Sequence, residues 1–166
     1  MSTLKMKYGV VSADDHIQEA PDVWTNRMSR AKFGDDIPHI VELLDGTQTW
    51  SLGGNTKGFG GLARVSGVNP NVKRWEDVPL STYVAPERLK VLDQEELDAS
   101  VLFPNIIGIT NQNFQKEGSE AFRLACIQAY NDWLIDEWQD YSPRFVAQCV
   151  TPMWDVDLCV AEIHRA

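Results

Sequence analysis

Residues 12–24 read SADDHIQEAPDVW, and they place two carboxylates and an imidazole, Asp14, Asp15 and His16, just beyond the short apolar run Tyr8 to Val11. A carboxylate oxygen and a neutral imidazole nitrogen are both ordinary ligands of zinc. Successive side chains of a strand point to opposite faces, so Asp14 and His16 share one face and Asp15 takes the other. At the end of a strand such a pair makes either half of a metal site or a plain Asp–His hydrogen bond that closes the strand. Asp15, facing away, reads as a solvated or capping group. Glu19, three residues past His16, suits two roles: an acceptor behind a ligand histidine, or a carboxylate at the start of a helix.

The elements that must position these groups can be read along the chain. Residues 7–13 form the expected first strand, and Pro21 sits where the first turn of a short helix, PDVWTNRM, tolerates it. IPHIVELLDGTQTWSLG, 37–53, holds two β-like runs about Asp45-Gly46, a strong hairpin signal. GGNTKGFGGLARVSGVNPN is glycine-rich and aperiodic, hence an irregular loop. Pro86 opens a helix, PERLKVLDQEELD, with Leu89, Leu92 and Leu97 at roughly helical intervals. ASVLFPN follows as a strand ended by Pro104. A long helix is expected over about Ser119–Tyr141, its apolar stripe made by Phe122, Cys126, Ala129, Trp133 and Leu134. RFVAQCVTP reads as a third strand and DVDLCVAEIHRA as the start of a third helix. Alternation of this kind predicts an α/β fold with parallel strands joined by right-handed crossovers. The last helix reaches Ala166 without a glycine or proline stop, so the chain is expected to be cut off there.

The 166 residues fit a single domain. With 43% hydrophobic and 23% charged residues the composition is that of a soluble globular protein. A net charge of −9 without a cluster of Lys and Arg argues against nucleic acid or an anionic membrane as partner. Cys126, Cys149 and Cys159 are odd in number and lack CxxC spacing, which predicts reduced, mostly buried thiols. With no signal-like or membrane-spanning segment, the expected location is the cytoplasm.

SADDHIQEAPDVWTNRM, ERLKVLDQEELDASVLFPN, AYNDWL and PRFVAQCVTPMWDVDLCVAEI, in this order and spacing, resemble the N-terminal part of the amidohydrolase-related metal-dependent hydrolases. The branch is the one that includes aminocarboxymuconate semialdehyde decarboxylase and its aromatic-acid decarboxylase relatives. The resemblance implies a (β/α)₈ TIM-type barrel of about 250 residues or more. This chain would supply its N-terminal portion: about three βα units, one partial domain over 1–166, with a β-rich insertion after strand 1 at about 33–85. The active site then lies at the C-terminal ends of the strands. The family's first strand gives two metal ligands in an HxH, ExH or DxH pattern, which fall here on Asp14 and His16. Two histidines and an aspartate from later strands complete the ligand set, and the general base also lies beyond residue 166. Asn105, just past Phe103-Pro104, falls at the catalytic end of strand 2 as a candidate substrate contact.

The cofactor implied is a divalent metal ion, with Zn²⁺ expected. The activity implied is hydrolysis of a small molecule, a metal-activated water attacking a carbonyl-type centre. The alternatives are metal-dependent decarboxylation of an aromatic or unsaturated carboxylic acid, or a non-catalytic fragment that needs the rest of the barrel. With open strand edges the isolated chain is expected to self-associate, possible homo-oligomer formation included. One departure concerns the family's DxxGVD pattern between the second helix and strand, where this chain has DQEELD, with Glu96 in place of glycine. A left-handed C-cap would cost a glutamate about 1 kcal/mol, so the helix is expected to end differently. His39 and His164 read as surface residues. Tyr130, Trp133 and Trp138, at helical spacing, read as core, and Asn131-Asp132 as a tie between a helix and a neighbouring loop.

Overall fold

The computed structural model describes residues 4–56, 62, 72–108 and 117–166. Three parallel strands form the main sheet in the order β1 (Val11–His16), β4 (Ala99–Phe103), β5 (Phe145–Ala147). Between β1 and the next helix lie a single helical turn α1 (Arg30–Phe33) and an antiparallel hairpin of β2 (His39–Glu42) and β3 (Gln48–Ser51). Helices α2 (Ala85–Gln94), α3 (Glu120–Leu134) and α4 (Val156–Arg165) follow. The architecture is therefore α/β with a parallel sheet, as the alternation predicts.

β1 starts four residues later than the expected 7–13. The carboxylate of Asp98 accepts hydrogen bonds from the backbone N–H groups of Lys7, Tyr8, Gly9 and Val10, at 2.6 to 3.2 Å. Wrapping four amides around one carboxylate requires a left-handed residue, and Gly9 supplies it at φ 75°. The chain can pair as a strand only after this turn. Along β1 the register then slips: the three steps from Ser12 to Asp15 run beside the two steps from Ser100 to Leu102. This is a β-bulge, and it changes which side chains face which side. Ser12 and Asp15, which a regular strand would put on opposite faces, both lie on the face of Ser100 and Leu102.

That face is the helix-covered one. Leu102 and Phe145 are buried there, and Phe145 meets Trp138 edge-on at 5.1 Å. The opposite face is more open, with Val11 44% and Val146 39% exposed. Trp133 and Trp138 meet edge-on at 6.1 Å in the core, with Tyr130 against Trp133 at 5.8 Å. They pack, as their helical spacing predicts.

Other elements differ from expectation for identifiable reasons. PDVWTNRM is a run of turns rather than a helix, with backbone bonds that mix three- and four-residue spacings. Val23, Trp24 and Met28 are all buried, and Trp24 Nε1 donates to the Cys126 carbonyl at 3.0 Å. Anchoring these residues outweighs the helical preference of a segment containing Thr25 and Asn26. The long helix is α-helical to Leu134 and continues as a π-turn, Ile135–Gln139, whose extra residue accompanies the burial of Trp138. β5 has three residues instead of the nine of RFVAQCVTP, because Asn131 takes over the backbone of Val150. The glycine-rich segment lies outside the described residues except for 53–56 and 62. Among the described residues no helix is long and apolar enough to cross a membrane.

Candidate metal site at the end of β1

His16 ends β1 and pairs with Phe103, and the Ile17 N–H donates to the Phe103 carbonyl at 3.0 Å. The His16 ring lies with Nδ1 3.1 Å from the Pro104 carbonyl oxygen. A carbonyl only accepts, so Nδ1 carries the proton in this bond, and in the neutral ring the lone pair is then on Nε2. Nε2 faces Oδ1 of Asp14 at 3.6 Å. The Asp14 side chain is 83% exposed and that of His16 27%. The bulge is what gives this arrangement. With Ser12 on the helix-covered face, an unbulged strand would send Asp14 and His16 there too. The inserted residue turns both to the open face and leaves Asp15 against the helices.

The donor set fits a zinc-like ion. Two donors at about 2.0–2.1 Å from a tetrahedral ion stand roughly 3.3 Å apart, within a few tenths of an ångström of the 3.6 Å found. An anchored Nδ1–H is also the usual way a ligand imidazole is held. Among the described residues no group of three His, Cys, Asp or Glu is placed to hold an ion, so the pair has no third partner of these types. His39 is half-buried in β2, its Nδ1 2.7 Å from the Ile37 carbonyl, and His164 is exposed on α4.

Glu19 lies elsewhere in the network. It is fully buried, and its carboxylate accepts from the backbone N–H groups of Asn105, Ile106 and Ile107 at 2.9 to 3.1 Å. Burial, the largest influence, pushes its carboxyl above the ordinary range, and these amides pull it only part of the way back. Glu19 thus ties the segment after β1 to the loop after β4, while the partner of the His16 ring is Pro104. Asn105 donates its side-chain amide to Oε1 of Gln18 at 3.2 Å.

Asp15 is neither solvated nor a cap, contrary to expectation. Its side chain is 23% exposed; Oδ2 accepts the hydroxyl proton of Ser100 and lies 3.9 Å from Nη1 of Arg88. Arg88, on α2 and 11% exposed, donates from Nη2 to the main-chain carbonyl of His16 at 2.8 Å. Sequence reading passed over Arg88. The available signal was its position, in register with buried Ala85 and Leu92 on one face of α2, where a cation needs a reason to be.

Comparison with known structures supports the fold. The chain is similar to a solved amidohydrolase from Mycobacterium avium subsp. paratuberculosis K-10, with a TM-score of 0.69 at 20% sequence identity over 97% of this chain. The same superposition takes in 47% of the solved chain, so the present chain spans about half its length. No family model and no curated protein matches the sequence.

Proposed function

We propose that this chain is the N-terminal part of a metal-dependent hydrolase of the amidohydrolase type, acting on a small molecule with a carbonyl-type centre. The observation that carries the reading is the Asp14–His16 pair, 3.6 Å apart at the C-terminal end of a parallel strand, with the imidazole fixed through Nδ1. The likeness of fold to a solved amidohydrolase adds to it. In this reading the described βα units are the first three of a (β/α)₈ barrel, and later strands bring the remaining ligands and the general base. Asp14 and His16 would hold a divalent ion, Zn²⁺ by the donor set, which when bound would supply Lewis acidity for activating water. His16 contributes a lone pair whose direction Pro104 sets. Asp14 contributes the negative charge, and its exposure leaves it free to adjust as ligands gather.

Decarboxylation of an aromatic or unsaturated carboxylic acid, as in the aminocarboxymuconate semialdehyde decarboxylase branch, would use the same pair to hold the substrate's oxygens. The acidic surface, with a net charge of −9, suits neither nucleic acid nor an anionic membrane as partner. The cysteines are free thiols, which suits a cytoplasmic protein, but contrary to expectation only Cys126 is buried, while Cys159 is half-buried and Cys149 exposed.

A catalytic zinc takes about three protein ligands, and the described residues offer the pair alone, so this reading has the 166-residue chain bind zinc weakly. Calorimetric titration of the purified chain with Zn²⁺ tests this. The expected result is a dissociation constant weaker than about 1 µM, with the heat lost in His16→Ala. Binding that survives His16→Ala unchanged contradicts the reading.

A further inference from the structure

We propose that Arg88, Asp15 and Ser100 form a positioning clamp for the metal pair, an inference that rests on reading Asp14 and His16 as ligands. None of the three faces the open side of the sheet. Each acts on β1 from behind. Ser100, buried on β4, donates its hydroxyl to Asp15, the first paired residue after the bulge. Arg88 reaches from α2 past Oδ2 of Asp15 at 3.9 Å and donates to the His16 carbonyl at 2.8 Å. The clamp therefore holds the side chain of one residue and the main chain of the next, immediately downstream of the inserted residue.

That location matters because the bulge decides the facing of both ligands. A one-residue change of register would carry Asp14 and His16 to the helix-covered face and turn Asp15 outward. The Pro104 carbonyl fixes only the far end of His16, its ring. The clamp fixes the near end, the backbone from which the ring departs. Asp15 and Arg88 also need each other, since burying either charge alone is costly. Groups that hold a ligand residue in place typically change metal affinity by about tenfold or more when removed.

The test uses ¹⁵N spectra of the three histidine rings in the purified chain, recorded while Zn²⁺ is added. Variants are Asp15→Asn, Arg88→Met and the milder Ser100→Ala, which removes one hydrogen bond and keeps the ion pair. Asn131→Ala serves as control: it breaks a buried tie between α3 and Val150, away from β1. The expected result is that each clamp variant weakens zinc binding at His16 by about tenfold and shifts the His16 ring signals before any zinc is added. Asn131→Ala should lower the melting temperature and leave zinc affinity and the His16 signals unchanged. Wild-type affinity and wild-type ring signals in folded Ser100→Ala and Asp15→Asn would overturn the clamp. If the wild-type His16 ring does not respond to zinc, the metal reading fails. The zinc-free ring signals then decide the clamp alone: shifted in the variants they support it, unshifted they overturn it.

Discussion

At position 96 the backbone is left-handed, φ 56°, and the residue there is a glutamate. Helix α2 thus closes as the glycine-bearing pattern would, not differently as expected. The Leu97 N–H donates to the Leu92 carbonyl at 2.8 Å and the Glu96 N–H to the Asp93 carbonyl at 3.4 Å, the paired bonds of a left-handed C-cap. Leu92 is buried, and Leu97 packs on the same core. The packing outweighs the strain on Glu96. Relieving that strain is a direct prediction: Glu96→Gly should stabilise the chain by about 1 kcal/mol, read as a higher denaturant midpoint at unchanged slope. Two residues on, Asp98 makes the fold sensitive to acid. Its burial, the largest single influence, pushes the carboxyl up, but four backbone N–H groups together outweigh this and hold it below the ordinary range. The folded-state value lies under the unfolded one of about 3.9. Ionised Asp98 therefore stabilises fully above that pH, and the contribution is lost as pH falls through the lowered value. Denaturant midpoints measured downwards from about pH 6 should drop steeply below about pH 4, and less steeply in Asp98→Asn.

Between the elements, Asn131 is a fully buried tie outside the sheet. Its amide donates to the Val150 carbonyl at 2.8 Å and to Glu162 at 2.7 Å, and its oxygen accepts from the Val150 N–H at 2.8 Å. Glu162 is held in turn by Arg165, which also reaches Asp132 at 2.6 Å. One side chain thus joins α3, the segment after β5 and α4. Asn131→Ala leaves several buried polar groups without partners and should cost about 2–3 kcal/mol, measured by thermal or chemical unfolding. Apart from PDVWTNRM, which is a run of turns, the expected order of strands and helices matches the structure because hydrophobic periodicity, the helix-opening Pro86 and the Asp45-Gly46 hairpin signal are local. What could not be read were the features set by distant partners. The bulge in β1 answers to β4, 85 residues away at Ser100 and Asp15. The late start of β1 answers to Asp98, and the short β5 to Asn131. That Asp14 and His16 share a face was legible from the alternation of a regular strand; the bulge, and with it the face they share, was not.

For the molecule as a whole, apolar surface remains uncovered. On α4, Val156, Val160 and Ile163 recur at helical spacing and are 78%, 49% and 64% exposed, with Met153 nearby at 62%. β1 and β5 are the outer strands of the three-stranded sheet, and Val11 and Val146 are exposed on its open face. Edges and apolar patches of this kind favour association, against which the net charge of −9 acts. Sedimentation of the purified chain should show concentration-dependent oligomers that Val160→Lys with Ile163→Lys reduces; a monomer at all concentrations contradicts this. The central claim, that Asp14 and His16 hold a metal ion on the open face, is tested most directly by crystals of the chain soaked in zinc and measured at the zinc absorption edge. The account predicts an anomalous peak about 2.0–2.2 Å from both Nε2 of His16 and a carboxylate oxygen of Asp14. A map with no peak at this pair, or with its zinc on His39, His164 or a cysteine instead, contradicts it.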